Sequence, residues 1–192
     1  MNGIGPGRVA RRARGVAAAA AAAFCALPVT GCGLFSSKLT ISSPSVMTVS
    51  SGAFLQDKMP ARFTCAGGKV LSPPLSWAGV PSGTKSIALL VDDSAAPITP
   101  YVYWIVFDIN PATSDILEGQ LPPGARQAQN SAGRAAYDPP CPGPRGHAYR
   151  FTVYALNTTL NLPAGTSLLS AWMAIAAATI GRGRMPPITA TS

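Results

Sequence analysis

The chain of 192 residues contains one histidine, His147, and four cysteines, Cys25, Cys32, Cys65 and Cys141. Metal chemistry needs clusters of His, Cys, Asp or Glu. One imidazole and two cysteines 76 positions apart, with no CxxC or HxxxH spacing, argue against a zinc or copper centre. No cofactor is expected. Ser-His-Asp hydrolysis can be assembled from residues distant in sequence, and Ser94 lies beside Asp93 in DDSAAP. There is no GxSxG elbow, no GxxxxGK[ST] and no GxGxxG in a strand-turn-helix setting, so the local motifs do not point to an enzyme. What stands out is a proline-rich loop, PPCPGPRGH, that runs into an alternating segment. Prolines fix φ, and a stiff loop can hold an imidazole and a few NH groups around a small ligand at low ordering cost. His147 could instead be a strand-end histidine bonded to a loop carbonyl. Asp93 could instead bond loop NH groups, as Asp does in turns.

The compartment bears on the cysteines. Arg8, Arg11, Arg12 and Arg14 lie ahead of GVAAAAAAAFCALP, an apolar run of 14 residues. A membrane span needs about 20 apolar residues, so a basic flank with a short apolar run reads as an export signal, residues 1–31. The pair Arg11-Arg12 leaves twin-arginine and general export both open. The following VTGC, Val29 to Cys32, is similar to a bacterial lipobox, and this similarity implies cleavage before Cys32 and lipid, palmitate included, on its thiol. The protein would then sit on the outer face of the cell membrane. An oxidising compartment makes Cys65 and Cys141 a candidate disulfide; two free thiols are the alternative. Closing that loop would restrict the unfolded chain by roughly 4 kcal/mol. Without the four N-terminal arginines, 11 basic residues face seven acids with no basic run. A nucleic-acid surface would show a clustered patch, so nucleic acid is not expected as a partner.

The elements that would position His147 are short strands between Gly and Pro turns. A Ser/Thr-rich tether, residues 32–52, includes the start of the domain, with a first strand in LTISSPSVMTVSS. ARFTC, PLSWAGV, KSIALLVDD, YVYWIVFDI and HAYRFTVYAL follow as strand-like runs. KSIALLVDD is apolar on both faces and reads as a central strand. HAYRFTVYAL alternates Tyr149, Phe151, Val153 and Ala155 against Arg150, Thr152 and Tyr154. SLLSAWMAIAAATI predicts a helix capped by Thr166 or Ser167 and ended by Gly181. It has no charge, so most of it must pack on the sheet or on another chain. The remaining GRGRMPPITATS reads as irregular. Frequent Gly and Pro between such runs predicts a mainly β sandwich or barrel.

The order SPPLSW, a strand ending in DxxAP, an aromatic strand ending in VFDI, LPPGARQ, then PPCP with GHAYRFTVYAL, resembles the phosphatidylethanolamine-binding, or Raf kinase inhibitor-like, family in its bacterial branch. The resemblance covers roughly Leu55 to Arg184, in a domain of residues 53–184 with a tail at 185–192. It implies two antiparallel sheets, sandwich-like, with a C-terminal α-helix. It also implies a pocket for a small anion or phospholipid headgroup. The family's DPDAP aspartate falls on Asp93, its histidine on His147, the following tyrosine on Tyr149, and its loop on Pro139, Pro140, Cys141 and Pro142. Ser94 and Ala95 replace a proline and a second aspartate. Tyr103 stands where a second histidine is usual, and Pro139 stands where glycine is usual. A tyrosine hydroxyl can still donate to an anion but cannot become cationic, which implies a weaker, more apolar and less pH-dependent pocket. By family analogy an alternative role is a protein-interaction or protease- or kinase-inhibitor-like module of the envelope, with an envelope protein as partner.

Overall fold

The structure, a computed structural model, describes residues 45–95, 99–141 and 147–190. The expected signal segment, the lipidation candidate Cys32, most of the tether and Pro142 lie outside the described residues. Ten strands and one α-helix follow in order: β1 (Ser45–Ser50), β2 (Lys58–Met59), β3 (Leu75–Ala78), β4 (Ser86–Asp93), β5 (Tyr101–Ile109), β6 (Asp115–Ile116), β7 (Arg126–Gln127), β8 (Tyr149–Leu156), α1 (Leu168–Ala178), β9 (Thr179–Arg184) and β10 (Thr189–Ala190). Eight strands form one sheet in the order β6-β3-β1-β9-β8-β4-β5-β7, and β10 pairs with β2 in a second, two-stranded sheet. The pairings are antiparallel except β1 with β9 and β10 with β2.

The strongest apolar runs occupy the middle of the large sheet. Every residue of β4 is buried, with β5 on one side and β8 on the other. Its side chains alternate between two cores, as a period of two requires. Ile87, Leu89 and Val91 join Phe63, Trp104, Phe151 and Val153 on one face. Ala88 and Leu90 join Ile105, Phe107, Tyr154 and Leu156 on the other, under Ala171, Ile175 and Ala178 of α1. Each such large side chain contributes about 1.5–3 kcal/mol when taken from water.

Three expectations are corrected. ARFTC is not a strand but two 3-10 turns, Ala61–Phe63 and Cys65–Gly67. Pro60, at φ −58°, opens the first, and Thr64 caps the second by accepting from Ala66 N at 3.2 Å. The helix starts as predicted, with Ser167 Oγ accepting from Ser170 N at 3.1 Å, but Gly181 does not end it. Thr179 is already extended, and β9 begins there. The segment read as irregular is therefore a central strand, and its continuation forms β10. Gly181 and Gly183 are placed for close approach rather than for breaking: a Cβ on Gly183 would lie 2.6 Å from the Met47 carbonyl oxygen, and one on Gly181 would lie 2.8 Å from Pro81 Cγ.

Candidate functional site

Asp93 is the last residue of β4 and sits opposite Tyr149 of β8. This pairing brings His147 and Ala148, just ahead of β8, to the carboxylate. His147 Nδ1 lies 2.5 Å from Asp93 Oδ2. A carboxylate only accepts, so Nδ1 carries the proton in this contact and Nε2 is left for another partner. The other carboxylate oxygen, Oδ1, accepts from Ala95 N at 2.8 Å and from Ala148 N at 3.4 Å. Asp93 thus bonds loop NH groups, the alternative foreseen for it, and in addition orients the imidazole, which was not foreseen. Its side chain is 3% exposed, whereas that of His147 is 33% exposed. The fixed anion is buried and the imidazole is presented. Ser94 Oγ donates to the Ala148 carbonyl at 3.0 Å, not to the imidazole.

Tyr149 is buried beneath His147, the two rings stacked at 6.0 Å with 12° between planes. Its hydroxyl donates to the Cys141 carbonyl at 3.5 Å. Tyr103 of β5 meets Tyr149 edge-on at 5.6 Å, and Tyr101 lies 4.7 Å from Tyr103. Burial, then the nearby Asp93 carboxylate, pushes the Tyr149 phenol up to about 12. Burial, then Tyr149 and Asp93, raises Tyr103 as well. Both stay protonated donors throughout the physiological range. No described residue accepts from the Tyr103 hydroxyl.

Pro140 is not one of the donors. It is buried, and its carbonyl accepts from Cys65 N at 3.1 Å. The structure joins Cys65 to Cys141 by a disulfide, with Cα atoms 5.1 Å apart. The same segment is pinned upstream, where Tyr137 OH donates to the Phe63 carbonyl at 2.8 Å and Asp138 N donates to the Tyr103 carbonyl at 3.0 Å. Tyr101 OH donates to Asp138 Oδ2 at 2.8 Å, and Arg134 forms an ion pair with the same carboxylate. This Tyr101–Asp138–Arg134 network was not foreseen. Its signal in sequence is only the i,i+4 spacing of RAAYD.

The Asp92–Arg150 pair was likewise not foreseen. Asp92 points to the opposite face of the sheet from Asp93, and Arg150 grips it through Nε at 2.9 Å and through a second guanidinium nitrogen. The adjacent acids of DDS thus serve different faces, each with a cation-forming partner from β8 or its approach. Among the described residues no group of three or more His, Cys, Asp or Glu could hold a metal. No described helix is long and apolar enough to cross a membrane.

The sequence and the fold have counterparts. The family model for phosphatidylethanolamine-binding protein matches residues 49–186. The chain is 42% identical over 149 residues to the "Putative lipoprotein LppC" of Mycobacterium tuberculosis, covering 77% of this chain and 70% of that protein. It is 43% identical over 115 residues to a UPF0098 protein of Methanothermobacter thermautotrophicus, covering 57% and 76%. Among solved structures, the Chlamydia trachomatis homologue CT736 is 31% identical with a TM-score of 0.66 over 77% of this chain and 97% of that one. Escherichia coli YbcL is 27% identical with a TM-score of 0.68 over 76% and 98%. A match that runs from β1 to the turn after β9, with the strands that carry Asp93, Tyr103 and Tyr149 inside it, places this chain in the phosphatidylethanolamine-binding protein family.

Proposed function

We propose that the protein is an exported, lipid-anchored binding protein whose site at Asp93, Tyr103, His147 and Tyr149 takes a small anion or a phospholipid headgroup. The observation that carries this reading is the Asp93–His147 pair. A buried carboxylate holds a partly exposed imidazole by Nδ1 at 2.5 Å and leaves Nε2 to meet a ligand. An imidazolium beside a phenol donor suits phosphate or carboxylate. Binding rather than catalysis is favoured because Ser94, the one hydroxyl next to the acid, is engaged with a backbone carbonyl. Anchoring through Cys32 draws support from the lipobox-like VTGC and from the name of the mycobacterial relative. Phosphate, phosphoethanolamine and acetate should each be titrated while the His147 ring resonances are followed by NMR. We expect saturable shifts with at least one of the three, absent in Asp93→Asn. Unmoved resonances with all three would sink the pocket. Radiolabelled palmitate incorporation in a bacterial host, lost in Cys32→Ser, tests the anchor separately.

A further inference from the structure

A second concavity lies on the other face of the same strands. Between α1 and the sheet runs a cleft of about 630 Å³, within the roughly 300–1,000 Å³ usual for small-molecule sites. Its two flanks differ in chemistry. Leu90 of β4, Val102 and Ile105 of β5, and Trp172 of α1 form an apolar side. Arg182 and Arg184 of β9 form a basic side, opposite Tyr154 and Thr152 of β8 in the ladder.

The charges there are not balanced. Arg150 is matched by Asp92. Neither Arg182 nor Arg184 forms an ion pair among the described residues; Arg184 donates to Thr152 Oγ1 at 3.0 Å and also hydrogen-bonds the Tyr154 hydroxyl, both neutral partners. The alternation of Gly-Arg-Gly-Arg explains the placement: Gly183 lies close against Met47 and Val49 of β1 and Gly181 against Pro81 and Ala155, while the arginines line the cleft. Trp172 is 37% exposed at its edge, resting on Tyr154 at 5.9 Å. Apolar surface beside unpaired guanidinium groups fits a ligand with the same two parts, since the planar donor fork matches carboxylate and phosphate.

We propose that this cleft binds a single-chain anionic amphiphile, its chain between α1 and the sheet and its head on Arg182 and Arg184. The cleft shares no residue with the Asp93–His147 site, so either can fail alone.

The full chain should be titrated by calorimetry with dodecanoate, dodecyl phosphate, dodecylamine and inorganic phosphate, the amphiphiles below their aggregation concentrations. Comparing variants of the same full chain cancels any binding by its apolar N-terminal run. The expected result is binding of one or both anionic amphiphiles, with dodecylamine weaker by about tenfold or more. Arg182→Gln with Arg184→Gln should weaken binding by a similar factor, as should Ala176→Trp, which fills the cleft and keeps its charge. His147→Ala should leave it unchanged. Preference for dodecyl phosphate would point to a phospholipid-derived ligand, and preference for dodecanoate to a free fatty acid. Three results would each overturn the proposal: no binding of either anion, equal affinity in wild type and both cleft variants, or equal affinity for the amine. Circular dichroism of each variant separates lost binding from lost fold.

Discussion

His147 and Asp93 could both be picked out as residues, and their partnership could not. The lone imidazole and the acid at a strand end stand out by type, but their contact depends on Asp93 pairing with Tyr149, a register 56 positions long-range. The face of Tyr149 was legible from the alternation with Phe151, Val153 and Ala155, all four of which lie in one core; the bond between Cys65 N and the Pro140 carbonyl was not. Tyr103 is the informative position for function. Its phenol is held neutral, so the present site draws on one imidazole for positive charge. Tyr103→His should therefore add a pH-dependent cation. With a histidine's ordinary value near 6.5, phosphate affinity should rise by roughly threefold or more as pH falls from about 7.5 to about 5.5. Wild type measured in parallel should show the smaller change, and calorimetry at the two pH values decides it.

At the scale of elements, β4, β5 and β8 were legible because their β-branched and aromatic residues, in apolar runs or in alternation, favour a sheet. The helix start was legible from Ser167, a side chain that caps by its own chemistry. The strand after it was not, because Gly-Arg-Gly-Arg has the composition of a turn. Its β conformation is imposed by β1 and β8 on either side, a tertiary effect that outweighs local preference. The glycines record that effect. A Cβ at Gly183 would meet backbone, which cannot swing aside as a flexible side chain does. Gly183→Ala is expected to destabilise the fold by about 1–3 kcal/mol, read as a lower denaturant midpoint. A fall of that size with α1 helicity retained at low denaturant would locate the damage in the β1–β9 contact. The cleft beneath α1 escaped the sequence because four strands and a helix supply its lining from separate places.

For the molecule as a whole, the five tyrosines act together. All five, Tyr101, Tyr103, Tyr137, Tyr149 and Tyr154, are raised above the ordinary phenol value, with burial as the first cause in each. Their neutral forms are intact below about pH 10, where the unfolded chain begins to ionise. Above that point the unfolded chain releases protons that the folded chain keeps, so stability must fall as pH rises. Tyrosinate absorbance should therefore appear late and steeply, together with loss of the fold, rather than as a gradual titration at the free-phenol value. A smooth titration with the circular dichroism unchanged would contradict it. The position of β9 has a consequence for biosynthesis. In the hydrogen-bonded ladder β6, β3 and β1 are joined to β8 through β9 alone, and Ser45 pairs with Gly181. Chains emerge from the ribosome N-terminus first, so the ladder stays in two halves until Gly181, 136 positions after its partner Ser45, has been made. Such distant pairings also close slowly. If export follows the general route, which threads unfolded chains, that delay would help keep the polypeptide threadable.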